Sequence, residues 1–183
     1  MYYYDFTTGS WADNTINTEL PFTSKMYEHY PEYIKEDRKV KSYSLGKDSS
    51  ANELAIYGLL SEFCSFALET KVHAVSYSLG LNKSTFDSLD YDSYKKMELM
   101  VKDYLEFLKY SNPNLYNAFA MDSDTIRTIN NIIKDMDMIE ELYKEQMNIS
   151  IDKKLINWEN EIEKGYEHII IDTVVETEIE PNI

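Results

Sequence analysis

Three histidines (His29, His73 and His168), one cysteine (Cys64) and 33 acidic residues are the groups in this 183-residue chain best suited to hold a metal or move a proton. Their spacing argues against both tasks. No histidine belongs to an HExxH, HxH or CxxC cluster, so zinc lacks the convergent nitrogen and sulfur ligands it needs. Cys64 lies in the apolar run Phe63-Cys64-Ser65-Phe66, which reads as a small core residue rather than a nucleophile. Asp122-Ser123-Asp124 and Asp135-Met136-Asp137 alternate like calcium-loop ligands. Neither has the turn glycine or the correctly spaced bidentate glutamate of an EF-hand. No GxSxG, Walker or GxGxxG sequence occurs, and five glycines leave little material for a phosphate-cradling loop. The expectation is a chain that is not an enzyme and carries no cofactor or metal.

Carboxylate is what the chain has in abundance. Asp135, Asp137, Glu140, Glu141 and Glu145 crowd one helical stretch, and Glu159, Glu161 and Glu163 follow. Like charges one helical turn apart repel by about 0.2–0.5 kcal/mol per pair, so the fold gains nothing from this density. One reading is a solvated face that aids solubility, since Lys144, Lys153, Lys154 and Lys164 interrupt the run. The functional reading is a negative surface that steers a basic partner and competes with nucleic acid for its groove. On that reading the partner-binding residues are Asp135, Asp137, Glu140, Glu141 and Glu145, with Glu159 and Glu163 next.

The whole-chain numbers sharpen this. Thirty-three acids against 18 bases give a formal net charge of −15, and 43 % hydrophobic residues can build a core. Such a charge excludes a uniform nucleic-acid-binding coat and disfavours anionic membranes. It is unevenly spread. Residues 1–70 hold 11 acids and 6 bases, residues 71–120 hold 6 and 6, and residues 121–183 hold 16 and 6. A single cysteine forbids an internal disulfide and fits a reducing compartment. Residues 1–20 lack the apolar core of a signal peptide, and no run approaches 18 apolar residues, so a cytoplasmic protein is expected. Sixteen tyrosines against five glycines fit an AT-rich coding sequence.

The elements that must position these residues are mainly helical. Residues 1–48 read as an irregular N-terminal segment with short strands. Tyr2, Tyr4 and Phe6 alternate as a strand, residues 12–25 read as loop, and 26–38 as a short helix interrupted by Pro31. Val40, Ser42 and Ser44 alternate with Lys41, Tyr43 and Leu45 as a second strand closed by Gly46. Residues 49–183 read as a helical domain ending in a strand, the two parts forming one compact unit. Its first helix runs from a Ser49 or Ser50 cap to about Glu69, with Leu54, Leu59, Phe63, Phe66 and Ala67 inward. The second opens at Asp92 or Ser93, carries Tyr94, Met97, Val101, Tyr104 and Leu108 on one side, and stops at Asn112-Pro113. A third runs from Ser123 or Asp124 to Met147, and a fourth from Ser150 with Leu155, Trp158 and Ile162 inward. The β-branched stretch 168–179 predicts a strand that pairs with the N-terminal one. The predicted class is therefore a mainly α bundle with a small β element made from the two termini.

One local motif stands out between Val72 and Leu89. Gly80 supplies a turn, Ser76 allows close approach, and Val75, Leu79, Leu81, Phe86 and Leu89 fall where two helices would pack. Leu81-Asn82-Lys83-Ser84-Thr85-Phe86 reads as the turn and a capped second helix. The segment resembles the helix-turn-helix superfamily and, with its flanking helices, is similar to phage terminase small subunits. That resemblance implies DNA contacts from Lys83, Ser84 and Thr85 and an oligomer built on helix 123–147. The second helix opposes this with one lysine, two aspartates and no arginine. By charge and size the chain also resembles phage anti-defence inhibitors such as anti-CRISPR proteins. The favoured expectation is such an acidic, non-catalytic inhibitor of a basic nucleic-acid-handling host protein. A DNA-binding phage protein or a phage structural adaptor is the alternative.

Overall fold

The computed structural model describes residues 2–5, 10–13, 23–46, 55–81, 88–121, 123–147 and 152–165. Strands β1 (Tyr2–Asp5) and β2 (Ser10–Asp13) form an antiparallel pair, with Tyr4 opposite Trp11. Eight helices follow among the described residues: α1 (Thr23–Tyr27), α2 (Glu32–Lys35), α3 (Arg38–Leu45), α4 (Ile56–Ser78), α5 (Ser88–Ser111), α6 (Pro113–Ala120), α7 (Ser123–Met147) and α8 (Lys153–Lys164). The chain is mainly helical, as its apolar spacing predicts.

Helix α5 is the hub. It packs against α4, α1, α3, α6 and α8, while α7 lies on α4. Its inward positions explain this reach, because Tyr91, Tyr94, Met97, Leu99, Met100, Val101, Tyr104 and Leu108 are all buried and cover more than one face. Phe63 of α4 stacks on Tyr94 of α5, and Tyr57 lies near Tyr104, so the two long helices run antiparallel. The predicted stripe Tyr94–Leu108 is buried throughout. Asn112 ends α5 and opens α6 by accepting a hydrogen bond from the Leu115 N–H at 3.1 Å, with Pro113 in the first turn. Asp152 caps α8 by accepting from the Lys154 N–H; Ser150, the predicted cap, lies outside the described residues.

Several expectations are corrected. The strand expected at 40–45 is helix α3. The Asp37 carboxylate accepts from the Lys39 and Val40 N–H groups and starts the helix there. Val40 and Ser44, four residues apart, are buried while Ser42 is exposed, which is helical and not alternating. The loop expected at 12–25 holds the end of β2 and the start of α1. The small β element expected from the two termini is not supported. The described strand β1 pairs with β2, and 168–179 lies outside the described residues. Within residues 23–46, Met26, Tyr30, Ile34 and Val40 belong to the same core as α4 and α5.

The first long helix does not stop near Glu69 but runs unbroken to Ser78. Gly80 then ends it with φ +69°, the Gly80 N–H donating to Tyr77 and the Leu81 N–H to Ser76. That pattern is a Schellman cap. Gly165 ends α8 with φ +73°, and a Cβ there would lie 2.9 Å from the Tyr110 hydroxyl. Gly165→Ala is therefore expected to destabilise the fold by about 2–3 kcal/mol, from backbone strain plus overpacking. Gly80→Ala meets open space and should lose only about 1 kcal/mol. Urea denaturation of both variants checks the difference, and equal losses would remove the Tyr110 contact from the account.

Candidate functional site

The most concentrated chemistry among the described residues lies where α5, α7 and α8 meet. Lys95, Glu98 and Lys102 follow one another at spacings of three and four on α5, so they share a face. Glu98 is 2 % exposed and Lys95 6 %. The Lys95 ammonium donates to Glu98 at 3.2 Å and to Glu159 of α8 at 3.1 Å. Lys102 donates to Glu159 at 3.0 Å and also pairs with Glu98. Beside this network the Trp158 indole N–H donates to the Asp103 carboxylate at 2.8 Å, and Asp103 is 1 % exposed. The Tyr91 phenol donates to Glu140 of α7. Two helices dock on α5 through charge as well as apolar surface.

The proton affinities follow. Burial alone would raise the Glu159 carboxyl, but hydrogen bonds and charge from Lys102 and Lys95 hold it below its ordinary value. Burial likewise opposes the Lys102 ammonium, yet Glu98 and Glu159 lift it above the ordinary lysine value. Burial and the Glu98 carboxylate raise the exposed Asp137 carboxyl, offset in part by Lys95 and Lys102. A depressed carboxyl stabilises the fold above its unfolded pKa and loses that as pH falls through its folded one. A raised lysine stabilises below its unfolded pKa and loses that as pH rises through its folded one. The network therefore supports the fold across neutral pH and fails at both extremes. Glu159→Gln should flatten the acid limb of stability against pH, read from urea midpoints. An unchanged acid limb would show that Glu159 contributes nothing there.

The predicted partner-binding residues now separate into two groups. Asp135 is paired with Lys71 of α4, Glu140 accepts from Tyr91, and Glu159 sits in the network. These three hold helices together. Asp137, Glu141 and Glu163 are exposed, with Asp137 and Glu141 one turn apart on α7 and Glu163 one turn beyond Glu159 on α8. Glu145 lies on α7, in its last turn. Lys83, Ser84 and Thr85 lie outside the described residues. No protein-family model matches the chain, and no curated protein or solved structure is significantly similar to it. Among the described residues no group of three histidine, cysteine, aspartate or glutamate side chains could hold a metal ion. No described helix is long and apolar enough to cross a membrane. Cys64 is half-buried, and His29 packs on Phe107, its burial lowering the imidazole's proton affinity.

Sequence reasoning missed two things. Lys95, Glu98, Lys102 and Asp103 pass for surface residues in one dimension; the signal available was opposite charge at helical spacing inside an apolar run. The side chains of Phe86 and Leu89 lie outside the described residues, but Val75, Leu79 and Leu81, expected in the same packing seam, are 52 %, 66 % and 75 % exposed. With Leu68 and Val72 they make an exposed apolar line at 68, 72, 75 and 79 on α4, the helix that Lys71 ties to α7. On α7 itself Met138 is exposed between Asp137 and Glu141. The inward positions of α7, Ile129, Met136 and Ile139, are used within the chain.

Proposed function

We propose that this chain is a non-catalytic acidic interaction protein that binds a basic, nucleic-acid-handling protein and inhibits it, as a phage anti-defence inhibitor does. The observation that carries the reading is the state of the charges around α7. Asp137 and Glu141 stand exposed, while Lys71, Lys95 and Lys102 on the neighbouring helices are spent on Asp135, Glu98 and Glu159. Asp137 and Glu141, one turn apart, present negative charge beside the exposed Lys134, and Glu163 does so beside Lys164. Such carboxylates steer a basic partner and occupy the site its nucleic acid would use. The exposed Met138 beside them, and the apolar line on α4, supply surface whose burial adds affinity that charge alone does not.

Asp137 supports the reading from a second direction. Its carboxyl is held above its ordinary value, so its ionised form is less comfortable in the folded chain than in the unfolded one. The fold does not need that charge. The test is the triple variant Asp137→Asn, Glu141→Gln, Glu163→Gln, compared with wild type in affinity capture from host lysate. The expected result is an unchanged melting temperature and loss of a captured nucleic-acid-binding protein. Retention of the same partner at full yield would overturn the proposal. Specific retention of DNA in a low-salt gel shift would instead favour the DNA-binding reading through Lys83, Ser84 and Thr85.

A further inference from the structure

On this strongly acidic chain one surface cavity has the opposite character. It measures about 400 Å³ and is lined by Asp37, Arg38, Lys39, Ser42 and Tyr43 of the α3 region and by Lys96 of α5. Three cations and one carboxylate line it, with Glu62 and Glu69 next to Tyr43, although the whole chain carries −15. The carboxylate is already engaged, since Asp37 pairs with Lys96 at 2.7 Å and accepts two backbone N–H groups of α3. The Lys39 ammonium lies 4.4 Å from the centre of the Phe66 ring and donates to the Ser93 hydroxyl at 2.6 Å. These contacts hold two of the cations in place. Arg38 is exposed and makes no ion pair among the described residues.

Helix stability does not account for the arrangement. Asp37 caps α3 and Lys39 is held by Phe66 and Ser93, but Arg38 stands exposed in the first turn, where the helix dipole disfavours a cation. A bound anion does account for it. A guanidinium fork, ammonium N–H groups and the exposed Ser42 hydroxyl together match the donor needs of a phosphate. The volume lies in the lower range of small-molecule sites.

We propose that this cavity binds the phosphate group of a phosphorylated small molecule of about mononucleotide size, with Arg38 as its exposed clamp, Lys39 and Lys96 as fixed cations and Ser42 as a hydroxyl donor. The site is independent of the acidic surface on α7 and α8.

The test uses the full chain at low ionic strength, titrated with inorganic phosphate, pyrophosphate and adenosine monophosphate and followed by calorimetry and phosphorus NMR. Two variants at exposed positions keep it falsifiable: Arg38→Gln removes the clamp, and Ser42→Glu places a carboxylate in the cavity. Adenosine monophosphate is expected to bind, Arg38→Gln to weaken it about tenfold, and Ser42→Glu to weaken it further. Capture of the protein partner should be unaffected by either variant. No binding of any of the three probes at millimolar concentration would overturn the proposal, as would binding unchanged in both variants. Tighter binding of a short single-stranded oligonucleotide than of the mononucleotide would overturn the small-molecule assignment.

Discussion

Glu98→Ala is expected to destabilise the protein by about 3–5 kcal/mol, the range for removing one partner of a buried ion pair. The loss comes less from the attraction removed than from what is left behind. Lys95, 6 % exposed, would keep only Glu159, and Lys102 would lose its second carboxylate. An ammonium that cannot reach water then faces low-dielectric surroundings with too little compensation. Lys102 is about one-third exposed and can turn toward solvent, which places the effect nearer the lower end. Glu98→Gln keeps a hydrogen-bond acceptor and should lose less than alanine does. Urea denaturation at neutral pH checks the pair. A loss under about 1 kcal/mol for the alanine variant would show that the network is incidental to the fold.

Trp158→Ala should be of similar size, about 3–5 kcal/mol. Trp158 is among the largest fully buried side chains in the described core, and Tyr30 packs on it edge-to-face at 5.1 Å. Its removal opens a cavity between α8 and α5 and strips the buried Asp103 carboxylate of the indole donor. Trp158→Phe separates these terms, since it keeps most of the apolar surface while removing the donor. It should cost about 1.5–3 kcal/mol, the range for losing a hydrogen bond to a charged group. The alanine variant should also loosen α8 as a unit, seen as faster amide exchange over Lys153–Lys164 than over α4. Uniform acceleration across the chain would mean that α8 is not a separately docked element.

The fold was legible where one helical face is apolar and its ends carry their own stop signals. Tyr94, Met97, Val101, Tyr104 and Leu108 on α5 are of this kind, as are Leu155, Trp158 and Ile162 on α8. Asn112-Pro113 divides two helices through local chemistry alone. Helix α3 was illegible because Lys-Val-Lys-Ser-Tyr-Ser alternates and also fits a helix. What decides it is the Asp37 cap and the burial of Val40 and Ser44. Of the helix-turn-helix-like stretch, the described part shows that Gly80 does make a turn, and 82–87 lie outside the described residues. That turn caps one long helix, and the apolar residues beside it stay exposed. The acidic surface was half legible. Which carboxylates are spent depends on partners far away in the chain, such as Lys71 for Asp135 and Lys102 for Glu159. No spacing rule within one helix reveals those pairs.

The division between spent and exposed carboxylates is the centre of the account. The measurement that tests it most directly is the salt dependence of affinity for the captured partner, in wild type and in the Asp137→Asn, Glu141→Gln, Glu163→Gln variant. Wild-type affinity should fall steeply as ionic strength rises through the range where the screening length drops below about 10 Å. The variant should bind at least about tenfold more weakly at low salt and show a shallower slope. Equal affinity and equal slope in the two proteins would contradict the claim that these exposed carboxylates recognise the partner.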